Sequence, residues 1–153
     1  LGTISLRYFN VFGPRQADDS PYSGVIAIFA RRLLEGRPLI VHGDGEQTRD
    51  FVFVEDVARA NLLAMDAPIE AGTICNIGTG VSVSVNELIA CSAAHLCVSA
   101  SLERAAARSG DVPHSRASIE RARTLLGFAP QVTWRAGLAR TLDWYRGRRV
   151  QSG

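Results

Sequence analysis

The sequence predicts an α/β fold, because short extended segments alternate with stretches of helical periodicity along its 153 residues. Two further observations agree with it. The chain is 46% apolar and 21% charged, the balance of a packed globular protein, and glycine and proline punctuate the changes of periodicity. The length suits one domain of ordinary size, spanning 1–153.

Residues 3–8 alternate as a strand does, and the breaker group Phe12-Gly13-Pro14-Arg15 follows, leading to a polar loop through Asp18, Asp19, Ser20 and Pro21. A strand that starts beside Leu1 needs neighbours, so the chain reads as cut from the middle of a larger protein. In residues 24–35, Val25, Ile26, Phe29, Leu33 and Leu34 recur at helical spacing, and Gly36 with Pro38 closes the helix. Residues 39–41 form a short strand, Gly43-Asp44-Gly45 turns the chain as a hairpin does, and residues 51–54 extend again. Asp56 is placed to cap a helix reaching Met65, with Val57, Ala60, Ala64 and Met65 turned inward and Pro68 as its stop. Residues 73–77 read as a buried strand.

After Gly78-Thr79-Gly80, Ser84 and Glu87 have capping-box spacing and open a helix ending near Leu96. Residues 98–102 read as a strand, and 103–115 mostly as loop. Ile119, Ala122, Leu125 and Leu126 make a short helix ended by Gly127, and Trp134, Leu138, Leu142 and Tyr145 make a last one. The basic tail 146–153 is expected to fray.

Charge and composition exclude several classes of function. Seventeen basic against fifteen acidic residues give a formal charge of +2, too slight and dispersed for a nucleic-acid surface. Anionic small molecules need only two or three well-placed arginines. No run approaches the roughly 20 apolar residues that span a bilayer, and no charged-then-apolar leader opens the chain, so no membrane partner and a cytoplasmic location are expected. Cys75, Cys91 and Cys97 lack CxxC spacing and read as small buried hydrophobes, while His42, His95 and His114 are too scattered for a zinc site.

Four segments could carry chemistry. Arg49 follows the Gly43-Asp44-Gly45 turn on a rigid element, where its planar fork of donors suits a phosphate, although a surface pair with Asp50 is the plainer reading. Arg108-Ser109-Gly110-Asp111 sets a second arginine and a carboxylate in a loop, as ligand groups or as solvated charges. Asn10 lies at the carboxyl end of a strand, where ligands of open α/β sheets sit and where an asparagine also caps turns. Gly78-Thr79-Gly80 fits neither GxGxxG nor GxxxxGK[ST] and reads as a strand-to-helix turn. The chain contains no lysine, so Tyr8, Tyr22 and Tyr145 lack the cation that lowers a phenol's pKa, and no catalytic residue is assigned.

Taken together, these segments resemble the extended short-chain dehydrogenases/reductases, in the NAD-dependent epimerase/dehydratase branch that includes UDP-glucose 4-epimerases. The resemblance runs through LRYFNVFGPRQ at 6–16, YSGVIAIFARRLLEGRPLIVHGDGEQTRDFVFVEDVARA at 22–60, NIGTG at 76–80, RSGDV at 108–112, and LLGFAP followed by GLARTLDWY. It implies the C-terminal, substrate-binding part of such an enzyme, one incomplete domain carrying the last strands of a Rossmann-like sheet without the N-terminal half. It also implies that Tyr8 and Phe9 lie beside the nicotinamide of NAD and that Asn10, Arg49 and Arg108 meet the diphosphate of a nucleotide-sugar such as UDP-glucose. Gly24 and Val25 would offer main-chain groups to the nucleotide, His42 would lie by the uracil, and Asp111 by the ribose or Arg108.

The family's glycine-rich NAD loop and YxxxK pair have no counterpart in these residues, and Arg121 stands where the family usually has lysine. The 153 residues alone are therefore expected to bind substrate without turning it over or holding NAD tightly. A second expectation is a binding or structural module that self-associates through uncovered sheet edges into a homo-oligomer.

Overall fold

A computed structural model describes residues 3–19, 24–68 and 70–150 of the chain. Strand β1 (Ile4–Tyr8) finds its neighbour far along the chain in β6 (Thr73–Ile77), parallel and with Ile4 opposite Thr73 and Tyr8 opposite Ile77. In the same way β2 (Asn10–Phe12) lies parallel to β5 (Phe51–Phe53), and β3 (Leu39–His42) parallel to β8 (Leu102–Ala105). The two-residue strands β4 (Thr48–Arg49) and β7 (Val83–Ser84) pair antiparallel. Parallel pairs require long crossovers. Helices α1 (Val25–Leu34), α2 (Val54–Asp66) and α3 (Val85–Leu96) lie within them, and α4 (Glu120–Leu126) and α5 (Trp134–Val150) follow the last strand.

The pleat of β5 divides the interior. Phe51 and Phe53 face a cluster with Ile26 and Phe29 of α1, Leu88 of α3, and Leu138, Leu142 and Tyr145 of α5. Val52, between them, faces a second cluster with Val57 and Ala60 of α2, Cys75 and Ile77 of β6, and Ala122 and Leu126 of α4. Phe12 meets Phe51 and Phe53 edge-on at ring-centroid distances of 6.1 and 5.6 Å, the orientation their quadrupoles favour. Each such buried ring contributes about 1.5–3 kcal/mol.

Several sequence expectations are corrected. Gly43-Asp44-Gly45 turns as foreseen, with positive φ at both glycines and Asp44 Oδ1 accepting from Glu46 N at 2.9 Å, but it makes no hairpin. The chain crosses instead to β4, which β7 and the 113–115 segment hold through Thr48 N to Pro113 O at 2.8 Å and Ser115 N to Thr48 O at 3.1 Å. Asp56 does not cap its helix, which begins two residues earlier after Phe53. Its fully buried carboxylate accepts from Gln131 N and Val132 N at 3.0 and 3.1 Å, main-chain donors with no helical partner of their own. Met65 is 80% exposed, because the inward stripe of α2 runs through Val57, Ala60, Leu63 and Ala64. Leu125 likewise lies toward solvent.

Strand β6 buries only alternate residues, leaving Ile74 exposed. The strand expected at 98–102 forms later, as β8, because its partner β3 dictates the register. Asn10 sits in a strand rather than a turn. Ser84 caps α3 by accepting from Glu87 N at 3.1 Å, while the Glu87 carboxylate takes Arg135 at 2.6 Å. Helix α5 continues through most of the tail expected to fray, and 151–153 lie outside the described residues. Of the cysteines, Cys75 is buried, Cys91 half-buried and Cys97 exposed, the last in the left-handed position that ends α3.

Candidate functional site

A cleft of about 430 Å³ opens where α1 faces β3, beside Asn10 at the amino end of β2 and Arg49 at the carboxyl end of β4. One wall is the α1 face of Val25, Ile28, Phe29 and Arg32, residues three and four apart that share one side of the helix. The other is Ile40, Val41 and His42 of β3, with Gln47 and Val85. Asn10, Arg49, Arg108 and Asp111 close the polar end. Six of the nine positions singled out in the sequence thus meet in one place: Asn10, Val25, His42, Arg49, Arg108 and Asp111.

The remaining three lie apart from its lining. Tyr8 and Phe9 line a neighbouring hollow with Arg7, Asn76 and Ser115, and Asn10 belongs to both, so it stands between them. Tyr8 donates its hydroxyl to Asn61 Oδ1 at 2.9 Å. Gly24 precedes α1, and its carbonyl already accepts from Ile28 N at 3.2 Å. Tyr22 lies outside the described residues.

Arg49 does not pair with Asp50. Its Nη1 donates to the carbonyls of Thr48 and Val112 at 2.8 and 2.7 Å, and its Nη2 forms an ion pair with Asp111. The guanidinium therefore fastens the Arg108–Asp111 loop to β4, and a ligand reaching Arg49 shares it with the Asp111 carboxylate. That carboxylate serves Arg49, not Arg108. His42 is oriented by the same loop. Its Nδ1 donates to the Ala106 carbonyl at 3.1 Å, and because a carbonyl can only accept, Nε2 of the neutral ring remains an acceptor. Gln47 is fixed by donating to the His42 carbonyl at 2.9 Å.

Asp50 is fully buried. Its Oδ1 accepts from Thr79 N and Thr79 Oγ1 at 2.8 and 2.7 Å, and its Oδ2 from Gly80 N and Ala117 N at 2.8 and 3.0 Å. The Gly78-Thr79-Gly80 turn is thus an anion cradle filled by the chain's own carboxylate. A Cβ on Gly78 would lie 3.0 Å from Asp50 Oδ2, so the close approach needs glycine. Asn10 joins this network, its N and Nδ2 both donating to the Asp50 carbonyl at 3.0 and 3.3 Å.

Sequence reasoning missed Arg32, Gln47 and the apolar wall of Ile28, Phe29 and Ile40. The signal for Arg32 was its spacing of three from Phe29 and four from Ile28. Among the described residues no group of three or more His, Cys, Asp or Glu could hold a metal ion, and no helix is long and apolar enough to cross a membrane.

Parallel ladders with interleaved helices define an α/β protein, and its arginine-lined cleft lies by the carboxyl ends of β3 and β4. The NAD dependent epimerase/dehydratase family matches residues 1–78, and the chain belongs to that family. It is 42% identical to the UDP-glucose 4-epimerase of Mycolicibacterium smegmatis over 139 residues, covering 91% of this chain and 44% of that protein. The crystal structure of UDP-glucose 4-epimerase from Thermotoga maritima with UDP-glucose superposes with a TM-score of 0.90 at 38% identity, covering 95% of this chain and 46% of the other. The UDP-glucuronic acid 4-epimerase from Bacillus cereus, solved with UDP-glucuronic acid and NAD, gives 0.86 at 31% identity, covering 94% and 45%. The chain spans just under half the length of these relatives.

Proposed function

We propose that these residues form the nucleotide-sugar binding portion of an NAD-dependent sugar epimerase or dehydratase, with a UDP-hexose as the ligand of the cleft. The observation that carries this reading is the order of groups along the cleft: an apolar slot between α1 and β3, then Asn10, Arg49 and Arg108 at one end. A flat base suits the slot and a diphosphate suits the arginines, whose charge-assisted bonds are about twice as strong as neutral ones. Tyr8 and Phe9, in the adjoining hollow, would face the nicotinamide of NAD, with Asn10 between cofactor and substrate.

Proton transfer is not assigned to these residues, since no tyrosine here has a lysine four positions on. Titration calorimetry tests the binding reading. UDP is expected to bind at least tenfold more tightly than uridine, Arg108→Ala to remove most of that difference, and NAD to bind weakly; about tenfold is the worth of one charged hydrogen bond. A chain that ignores UDP would sink it. Measurable turnover of UDP-glucose with NAD would overturn the non-catalytic part.

A second reading, a self-associating module, is favoured by Ile74 and Tyr8, 45% and 46% exposed on the two-stranded β1–β6 ladder. Unpaired strand edges beside apolar residues are templates for a second copy of the same chain. Sedimentation velocity at roughly tens of micromolar checks it, and a single monomeric boundary speaks against it.

A further inference from the structure

Arg32 is a cation in the cleft that the diphosphate does not require. Its Nη1 donates to the Pro38 carbonyl at 2.8 Å, which anchors the guanidinium beside the first residue of β3. Arg108 lies past the opposite end of that strand, since it follows β8, whose last residue Ala105 is level with His42. Both line the same cleft. At about 3.3 Å per residue, the four residues of β3 separate the two ends by roughly 13 Å. Between them lies the apolar slot of Ile28, Phe29 and Ile40. A nucleoside diphosphate has the same order over a comparable length: a polar base edge, a flat apolar base, a sugar and a dianion.

We propose that Arg32 reads the outer edge of the pyrimidine and selects a 2,4-dioxo base, uracil or thymine, against cytosine. This rests on the nucleotide reading of the cleft. The chemistry is one-directional, because a guanidinium carries five donors and no acceptor. The Pro38 carbonyl takes one donor and orients the group. A 4-carbonyl oxygen is a partner for the others, whereas the 4-amino group of cytosine sets donor against donor. A site that bonds one such group disfavours an analogue that cannot reciprocate, because a donor is then set against a donor. Arg32 is thus a specificity residue, at the far end from any bond that is made or broken.

Calorimetry of the wild-type chain with UDP and CDP, followed by Arg32→Met and Arg32→Gln, tests this. The wild type is expected to prefer UDP by about tenfold or more, the discrimination of one well-placed hydrogen bond. Arg32→Met should lose UDP affinity and bring the ratio near one. Arg32→Gln retains a donor for Pro38 and adds an acceptor, so it should gain CDP affinity, and equal melting temperatures would show that neither change acts through folding. A UDP:CDP ratio unchanged in the Gln variant overturns the proposal even if the Met variant does not fold. A wild type that binds both nucleotides equally overturns it while leaving the nucleotide reading intact. If the wild type binds neither, both readings fall together.

Discussion

Asp50 shows how much one side chain organises. It is enclosed by the protein, and its four donors come from Thr79, Gly80 and Ala117, so it joins β5 to the turn after β6 and to the segment that follows the Arg108 loop. The sequence alone reads it as half of a surface pair with Arg49, because adjacency along the chain is visible there and enclosure is not. Asp50→Asn keeps one acceptor oxygen and turns an amide N–H₂ against the remaining donors. It is expected to destabilise the fold by about 3 kcal/mol, since unsatisfied buried donors cost about 1–3 kcal/mol each. Urea unfolding measures this, and a loss below about 1 kcal/mol would mean that the donors find other partners. Tyr145 supplies a second test. Its hydroxyl donates to the Gln16 carbonyl at 2.5 Å, and burial, reinforced by the Asp18 charge and partly offset by Arg148, pushes its pKa up to about 12. The unfolded phenol titrates near 10, so the native state retains the proton longer. The stability this gives is fully present below about pH 10 and is lost as pH rises from there through about 12. Melting temperatures of Tyr145→Phe should fall less steeply than wild type across that window.

At the scale of elements, the helices were largely legible and the strand pairing was not. Ser84 before α3, Gly127 after α4 and the stripe of Trp134, Leu138, Leu142 and Tyr145 on α5 are local signals, and each of those elements formed. The partners of β3 and β4 are 63 and 36 residues away, as Leu39 opposite Leu102 and Thr48 opposite Ser84 show, and no turn chemistry announces such parallel or crossed pairings. The cleft follows the same division. Arg49 and Arg108 were found through loop motifs, but Arg32 and Gln47 matter only once α1 is laid against β3. Helix α5 gives a prediction in which two glycines of one element respond oppositely. A Cβ on Gly137 would lie 2.7 Å from Phe53 and 2.9 Å from Phe12, where the helix crosses the aromatic strands, whereas a Cβ on Gly147 meets nothing within 4 Å. Gly137→Ala should therefore cost about 1–3 kcal/mol by overpacking. Gly147→Ala should stabilise by about 0.5–1 kcal/mol through helix propensity, and thermal melts of the pair distinguish the signs.

For the whole molecule, the question is whether the two apolar clusters unfold together. They are not separated by a linker. They lie on opposite faces of the same backbone, because Phe51 and Phe53 belong to one cluster and Val52 to the other, and Phe12 and Val11 of β2 divide likewise. A strand cannot release one face and keep its ladder on the other. The cleft sits over the first cluster and the Tyr8–Phe9 hollow near the second, so Asn10, common to both, stays in place only while both clusters hold. We therefore expect a single cooperative unit, and Val52→Ala tests it. Removing two methyls from a fully enclosed position should cost about 2 kcal/mol, which for a chain of this size lowers the melting temperature by about 5 °C. Trp134 and Trp144 both lie on α5, against the cluster that Val52 does not touch. Their fluorescence should nonetheless report the same lowered midpoint as far-UV circular dichroism, with one transition in each. If the tryptophan transition stays at its wild-type temperature while the dichroism develops an earlier step, the clusters are separate units and Asn10 connects two bodies instead of belonging to one.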